Sequence, residues 1–404
     1  MPPVARPQRG TGIAVSGRVT MKDVAAVLGV STATVSRALK NDPAISVATR
    51  RAVFEVAQRV QYRPSAAARR LRTKSTSLIG VVVQSLGDGY IGDVVLGIQG
   101  RARELGYQPL FYAAEGQADL ESQALDVFVS EQVTELIAVS PTGKPELLRQ
   151  AVAEGMHVAV INGDEAVAGN VIGLVAAARS AEDAARLAGR REPGSAIRHI
   201  AFDDVGAGRL AVAHLAELGH RRFVHLGGPD VRSSLLRLLG FRQELAARGF
   251  GPQPVLTSVS PNMPAREAAV AAYLAQAEPP AGLVAYDDMS AIAALRAAHR
   301  AGWRIPEDLS IVGIDDIQFA AYTHPALTTV AQPKYRLGAL AVDAVLARPS
   351  GPAQQAQHAS QAGQPGQAQQ PGQAGQPGPG SSPALILDGE LVIRESTAPV
   401  KAAS

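Results

Sequence analysis

The stretch that most constrains this chain runs from residue 19 to residue 73. It opens VTMKDVAAVLGVSTATVSRALKND and closes YRPSAAARRLRT. Thr20 offers an N-cap, and Asp23 three positions on makes a variant of the capping box. Val24, Val27 and Leu28 fall at helical spacing, and Gly29 ends that helix because a left-handed C-terminal residue costs glycine least. Ser31 caps a second helix over Thr32 to Leu39, with Val35 and Leu39 on its inner face. A third helix is expected from a Ser46 cap to about Gln61, with Val53, Val56, Ala57 and Val60 turned inward. Two short helices joined by a Gly-containing turn of about three residues, backed by a third helix, form a helix-turn-helix.

Charge points to the partner of this head. Residues 1–74 hold 14 Lys/Arg against three Asp/Glu, an excess of 11 positive charges, so a net of +3 leaves the rest of the chain at −8. A basic head on an acidic body is the electrostatic footprint of a protein that binds a polyanion. In a helix-turn-helix the second helix enters the DNA major groove with its N-terminal end. That directs Thr32, Ala33 and Arg37 toward base edges. Arginine forks onto guanine O6 and N7, and an alanine methyl suits a thymine methyl. Thr34, Ser36, Lys40, Thr49 and Arg50 are placed for phosphates, which position the protein without specifying sequence. Any one of these residues would equally suit a solvated helix. The ordered set, with the turn and the charge, predicts double-stranded DNA as the partner.

The run VTMKDVAAVLGVSTATVSRAL, continued by ISVATRRAVFEVAQRVQYRPSAAARRLRT, resembles the head of the lactose/galactose-repressor family of bacterial transcription regulators. The resemblance implies that Thr32, Ala33 and Arg37 are the base readers. Lys40 departs from it, standing where the family usually has asparagine. Pro64 stops the third helix and Ser65 can cap a two-turn helix, AAARRLR, which is too short to hold in water alone. In the family this hinge pairs with its twin in the minor groove. The resemblance therefore implies that Leu71 is a wedge that bends DNA, with Arg69 and Arg72 beside phosphates. Residues 64–77 are read as hinge helix and linker.

From Leu78 the pattern changes. Apolar runs LIGVVV, LIAV, VAVI, HIAF, FVHL, GLVA and LSIVGI alternate with helical segments. Such alternation implies parallel sheets in a doubly wound α/β fold. RLAVAHLAELGHRRFVHLGGP, GWRIPEDLSIVGIDDIQFA, LTTVAQP and LVIRESTAP resemble the same family's effector domain, which has the two-lobed type I periplasmic-binding-protein fold. The expected lobes are residues 78–201 with 332–348, and 203–331 with 385–396. Ligands of open α/β sheets bind beyond the carboxyl ends of strands. Asp88, Tyr90, Asn162, Asp203, Arg209, Tyr286, Asp287 and Asp315 occupy such positions. By resemblance, Arg209 and Asp315 grip sugar hydroxyls and Tyr90 packs on the ring. Tyr286 stands where asparagine is frequent, and Gly163 where arginine is frequent, departures that widen the ligand class beyond ordinary sugars. Asp287 and Asp316 have an alternative role as helix N-caps.

Two segments fall outside this pattern. Residues 165–198 lengthen one connection, as a surface excursion or as a lid over the pocket mouth. Residues 350–383, rich in Gln, Gly, Pro and Ala, are expected to be disordered, as is the tail 1–18.

Other functions find little support. The absence of cysteine removes disulfides, thiolate metal sites and cysteine nucleophiles. No apolar run approaches the roughly 18 residues of a membrane span, and residues 1–18 lack the apolar core of a signal peptide. A cytoplasmic location is expected, with no membrane partner. No G-x-G-x-x-G follows Leu78–Val83, and His157, His214, His220 and His225 are scattered, so no enzyme, metal site or cofactor is expected. A solute-binding transport protein would need a signal peptide and no basic head. No leucine heptad ends the chain, which predicts a homodimer rather than a coiled-coil tetramer. Together these features predict a sequence-specific regulator whose dimer reads a palindromic operator under control of a sugar-like effector. Repression is the leading expectation; corepression by the effector, or activation, is the alternative.

Overall fold

The computed structural model describes residues 19–62, 77–141, 145–163, 197–229, 231–256, 262–347 and 385–400. The tail 1–18, the hinge residues Arg69, Leu71 and Arg72, the segment 350–383 and residues 165–196 of the expected insertion lie outside them. The chain divides into two compact units, Met1–Thr76 and Ser77–Ser404.

The first unit holds α1 (Met21–Leu28), α2 (Thr32–Ala38) and α3 (Val47–Arg59). The Asp23 carboxylate accepts the Thr20 N–H and hydroxyl, both at 2.7 Å. Gly29 has φ 63° and turns the chain toward α2. The Ser31 hydroxyl accepts the Thr34 N–H at 3.1 Å, and the Ser46 hydroxyl accepts the Thr49 N–H at 3.2 Å. Val24, Ala25, Val35, Ala38, Val53 and Val56 form the core. Val24, Val35 and Val53 are fully buried. Each contributes about 1.5–3 kcal/mol, which holds together helices too short to persist alone. Two details differ from expectation. Val27 is 40% exposed and leaves the inner stripe. The third helix ends at Arg59 rather than near Gln61.

The second unit begins with β1 (Leu78–Val83), α4 (Gly89–Glu104), β2 (Gln108–Ala113), α5 (Ala118–Ser130), β3 (Glu135–Val139), α6 (Pro145–Ala153), β4 (His157–Ile161) and β5 (Ile197–Phe202). It continues with α7 (Asp204–Glu217), β6 (Phe223–Leu226), α8 (Arg232–Ala247), β7 (Val255–Leu256), α9 (Met263–Leu274), β8 (Ala281–Ala285), α10 (Asp288–Arg300) and β9 (Leu309–Asp315). A short 3-10 turn (Gln318–Tyr322), β10 (Thr328–Ala331), α11 (Lys334–Leu346), β11 (Leu385–Leu387) and β12 (Glu390–Val392) complete it.

These strands form two six-stranded sheets, ordered β11-β5-β4-β3-β1-β2 and β12-β10-β9-β8-β6-β7. All neighbours are parallel except β10 and β12. Parallel strands covered on both faces are near-continuous apolar runs, which is why LIGVVV is unbroken and LSIVGID carries only Ser310 before its terminal Asp315. The chain crosses between sheets after β5, between β10 and α11, and between β11 and β12. At the second crossing α11 returns to the first sheet, where Leu337, Ala341 and Val345 pack with Ile79, Val81 and Ile98. This is the two-lobed type I periplasmic-binding-protein fold.

Helix pairs in each lobe approach at glycines. A Cβ on Gly97 of α4 would collide with the Tyr335 carbonyl of α11, and one on Gly208 of α7 with the Arg237 carbonyl of α8. Two boundaries are corrected. Residues 385–387 pair with β5 in the first sheet, not with the second lobe. Ile197 and Arg198 start β5 rather than ending the insertion.

Candidate DNA-reading face and effector site

On the head, Thr32, Ala33, Arg37 and Lys40 are exposed, while Thr34 and Ser36 are half-buried. Ala33 and Arg37, one turn apart on α2, share a face whose opposite side, Val35 and Ala38, is buried. The Thr34 hydroxyl lies 2.9 Å from the Ser31 hydroxyl, and that of Thr49 lies 2.8 Å from Ser46. Arg50 is half-buried and donates Nη1 to the Asp42 carbonyl at 2.9 Å, so part of its guanidinium tethers the turn before α3. Arg37 has no such commitment among the described contacts.

In the second unit the polar residues at the strand ends separate into two groups. Asp88, Asp203 and Asp287 act first as N-caps. Asp88 accepts the Tyr90 N–H at 2.8 Å, Asp203 the Gly206 N–H at 2.9 Å, and Asp287 the Ser290 N–H at 2.6 Å. Asp287 also pairs with Arg266 at 3.2 Å. Asp316 does not cap a helix; it pairs with Arg394 at 2.6 Å. Asn162 is held on both sides, donating Nδ2 to the Tyr90 hydroxyl at 2.7 Å and accepting the Phe202 N–H at 2.8 Å.

The other group converges on Arg237. This side chain, 3% exposed, donates Nε to Asp204 at 2.9 Å, Nη1 to the Tyr286 carbonyl at 2.6 Å and Nη2 to Asp315 at 3.1 Å. Its guanidinium lies 4.9 Å from the centre of the Tyr286 ring. Gln332 donates to the same Asp315 oxygen at 2.5 Å, and the Tyr286 hydroxyl lies 3.2 Å from Ser233. Burial alone would lower the Arg237 pKa, but the Asp315 and Asp204 carboxylates outweigh it and hold the guanidinium charged. Burial raises the Asp315 carboxyl, and the adjacent Arg237 guanidinium pulls against that rise and favours the paired carboxylate. Burial also raises the Tyr90 phenol, and the Asp315 and Asp204 carboxylates reinforce the rise.

The family model "Bacterial regulatory proteins, lacI family" matches residues 20–65, and a "Periplasmic binding protein-like domain" model matches residues 212–364. The HTH-type transcriptional repressor CytR of Escherichia coli K12 is 30% identical over 380 residues, covering 94% of this chain and 96% of that protein. The chain belongs to the lacI family of bacterial regulatory proteins. Two solved structures share its fold. The lac repressor dimer bound to operator and the anti-inducer ONPF superposes with a TM-score of 0.71 at 24% identity, covering 95% of this chain and all of that one. The transcriptional regulator CelR in complex with cellobiose gives 0.59 at 23% identity, covering 94% and 100%.

This lacI-family regulator thus joins a helix-turn-helix head to a periplasmic-binding-protein-like domain. Its Arg209 does not join the cluster. Arg209 is exposed on α7 and pairs with Glu244 of α8 at 3.1 Å. The arginine at the centre is Arg237, which sequence reasoning missed. Its signal was present: in RSSLLRLLGFRQEL, Arg237 stands three residues after buried Ser234 and four before buried Phe241, a cation on the core stripe of α8. A buried arginine flanked by two carboxylates, an amide and the Tyr286 phenol offers donors and acceptors side by side, the equipment for orienting a hydroxyl-rich molecule.

Proposed function

We propose that this regulator is a homodimeric repressor whose two heads read a palindromic operator, and that a sugar or related polyol bound between its lobes lowers operator affinity. The observation that carries this reading is the Arg237 cluster: a fully paired, buried guanidinium at the strand ends, where open α/β sheets take their ligands. Thr32, Ala33 and Arg37 are the base readers. Thr34, Ser36, Lys40, Thr49 and the remaining donors of Arg50 face phosphates. Leu71 is the minor-groove wedge, flanked by Arg69 and Arg72. Arg237, Asp315, Tyr286 and Tyr90 surround the effector, with Asn162 orienting Tyr90 and Asp287 fixing the start of α10. Asp88 acts through its cap on α4.

Operator-bound lac repressor dimer and cellobiose-bound CelR support the choice of partners. Selection of random duplexes by the full chain should yield an inverted repeat. A thermal-shift screen of neutral mono- and disaccharides should yield a compound that raises Tm and loses its effect in Arg237→Met. A selected sequence without two-fold symmetry, or a hit indifferent to Arg237→Met, would contradict the proposal.

A further inference from the structure

Lys334 sits where helix electrostatics disfavour it. It is the first residue of α11, where the positive end of the helix dipole repels a cation. It is nevertheless 7% exposed, and its ammonium is saturated. Nζ donates to the carbonyls of Asp315 and Asp316, each at 2.7 Å, and lies 3.2 Å from Oδ2 of Asp93. These acceptors come from different lobes. Asp315 ends β9 in the second sheet and Asp316 follows it, whereas Asp93 lies on α4, which packs on the first. Lys334 itself begins the helix that crosses from one lobe to the other.

The two carbonyls belong to an unusual backbone. Asp315 has φ 124° and Asp316 φ 51°, conformations that non-glycine residues adopt only when their surroundings compel them. The donated ammonium protons hold that turn from behind. In front, the same Asp315 presents its carboxylate to Arg237 and Gln332. A local rule is broken at Lys334, and a tertiary arrangement compensates.

We propose that Lys334 is a positioning residue that latches the two lobes together at Asp93 and, through the Asp315–Asp316 turn, fixes the Asp315 carboxylate for the effector. Asp315's part in this rests on the effector-site reading above; the latch does not. Anything that shifts Asp315 then strains the only side chain among the described residues that donates to both carbonyls while pairing with α4. Lobe angle and effector occupancy become linked through one ammonium group.

The test uses the full chain without DNA or sugar, so it stands or falls separately from the effector reading. The protein has no cysteine, and spin labels attach only where cysteines are introduced. Asp126→Cys on α5 and Gln276→Cys after α9, both exposed, span the lobes. Asp126→Cys with Glu154→Cys stays within the first lobe as a control. Pulsed dipolar spectroscopy should give a narrow interlobe distance distribution in the parent. Lys334→Met should broaden it at least twofold, Asp93→Asn should broaden it in the same sense, and the control pair should not change. An unchanged interlobe distribution in Asp93→Asn, or equal broadening of the control pair, would overturn the latch. Should Lys334→Met fail to fold, Asp93→Asn decides alone: broadening supports the proposal and an unchanged width refutes it.

Discussion

Arg237→Met is the perturbation that reports most on the effector site. Methionine keeps the apolar stem out to the position of Nε and removes the guanidinium with all of its donors. The guanidinium makes three hydrogen bonds of 2.6–3.1 Å and sits between two buried carboxylates. Among the described residues its loss leaves Asp204, 1% exposed, with Arg232 at 3.8 Å, and leaves Asp315, 7% exposed, with Gln332. Breaking a buried pair by removing one partner costs about 3–5 kcal/mol, because a charge is stranded in a medium that solvates it poorly. With m near 3 kcal/mol/M, that is a fall of roughly 1–2 M in the urea midpoint. The cost should belong to the stranded charges rather than to lost packing. Adding Asp204→Asn and Asp315→Asn to Arg237→Met should therefore restore most of the lost stability while leaving effector binding abolished. Urea titration followed by circular dichroism measures all three proteins. A loss below about 1 kcal/mol in Arg237→Met, or no recovery in the triple variant, would refute the charge-balance argument.

Gly208→Ala should cost about 1–3 kcal/mol, since its Cβ meets the Arg237 carbonyl and comes within 3.0 Å of the Phe241 N. Gly92→Ala, on α4 with nothing within 4 Å, should instead stabilise by about 0.5–1 kcal/mol; like effects at the two sites would show that the α7–α8 crossing is not glycine-dependent. Arg37→Ala should lose about 1–3 kcal/mol of operator binding and relax one base position, and equal losses on every duplex would remove it from base reading. His225, buried with its pKa lowered by burial to about 3, binds no proton in the folded state until far below the unfolded value of about 6.5. Its neutral form thus costs nothing above pH 6.5, and stability is lost as pH falls below that value, by about 2 kcal/mol at pH 5. Asp315, raised by burial, works in the opposite sense over the same range. The comparison is therefore between parent and His225→Phe, whose stability difference should shift by that amount between pH 7 and pH 5; a constant difference would refute it.

The head was legible because its signals are local. The Thr20–Asp23 box, Gly29 and the Ser31 and Ser46 caps each lie within a few residues of what they control. The alternation of strands and helices was legible for the same reason. Long-range pairings were not. A three-residue strand such as Leu385–Leu387 carries no periodicity, so its pairing with Ile200–Phe202 could not be read. Arg209 of α7 and Arg237 of α8 both follow Gly- or Leu-rich helical turns, and only the packing of the two helices makes one an exposed ion pair and the other the centre of the site. The Asp-Asp pairs hide a division of labour: Asp203 and Asp287 cap helices, while Asp204 and Asp288 are buried. Only the tertiary fold distinguishes first from second. Burial raises Asp288 to about 6, against hydrogen bonds from Thr329 and the Ile317 N–H.

The central claim is that the effector domain controls the head. It is tested most directly by fluorescence anisotropy of a selected palindromic duplex titrated with the full chain, with and without a sugar that raises its Tm. The salt dependence should be steep, as phosphate neutralisation requires, and saturating sugar should weaken binding by about tenfold or more, the usual scale of coupling between sites. Operator affinity that is identical with and without every sugar the protein binds would contradict the account.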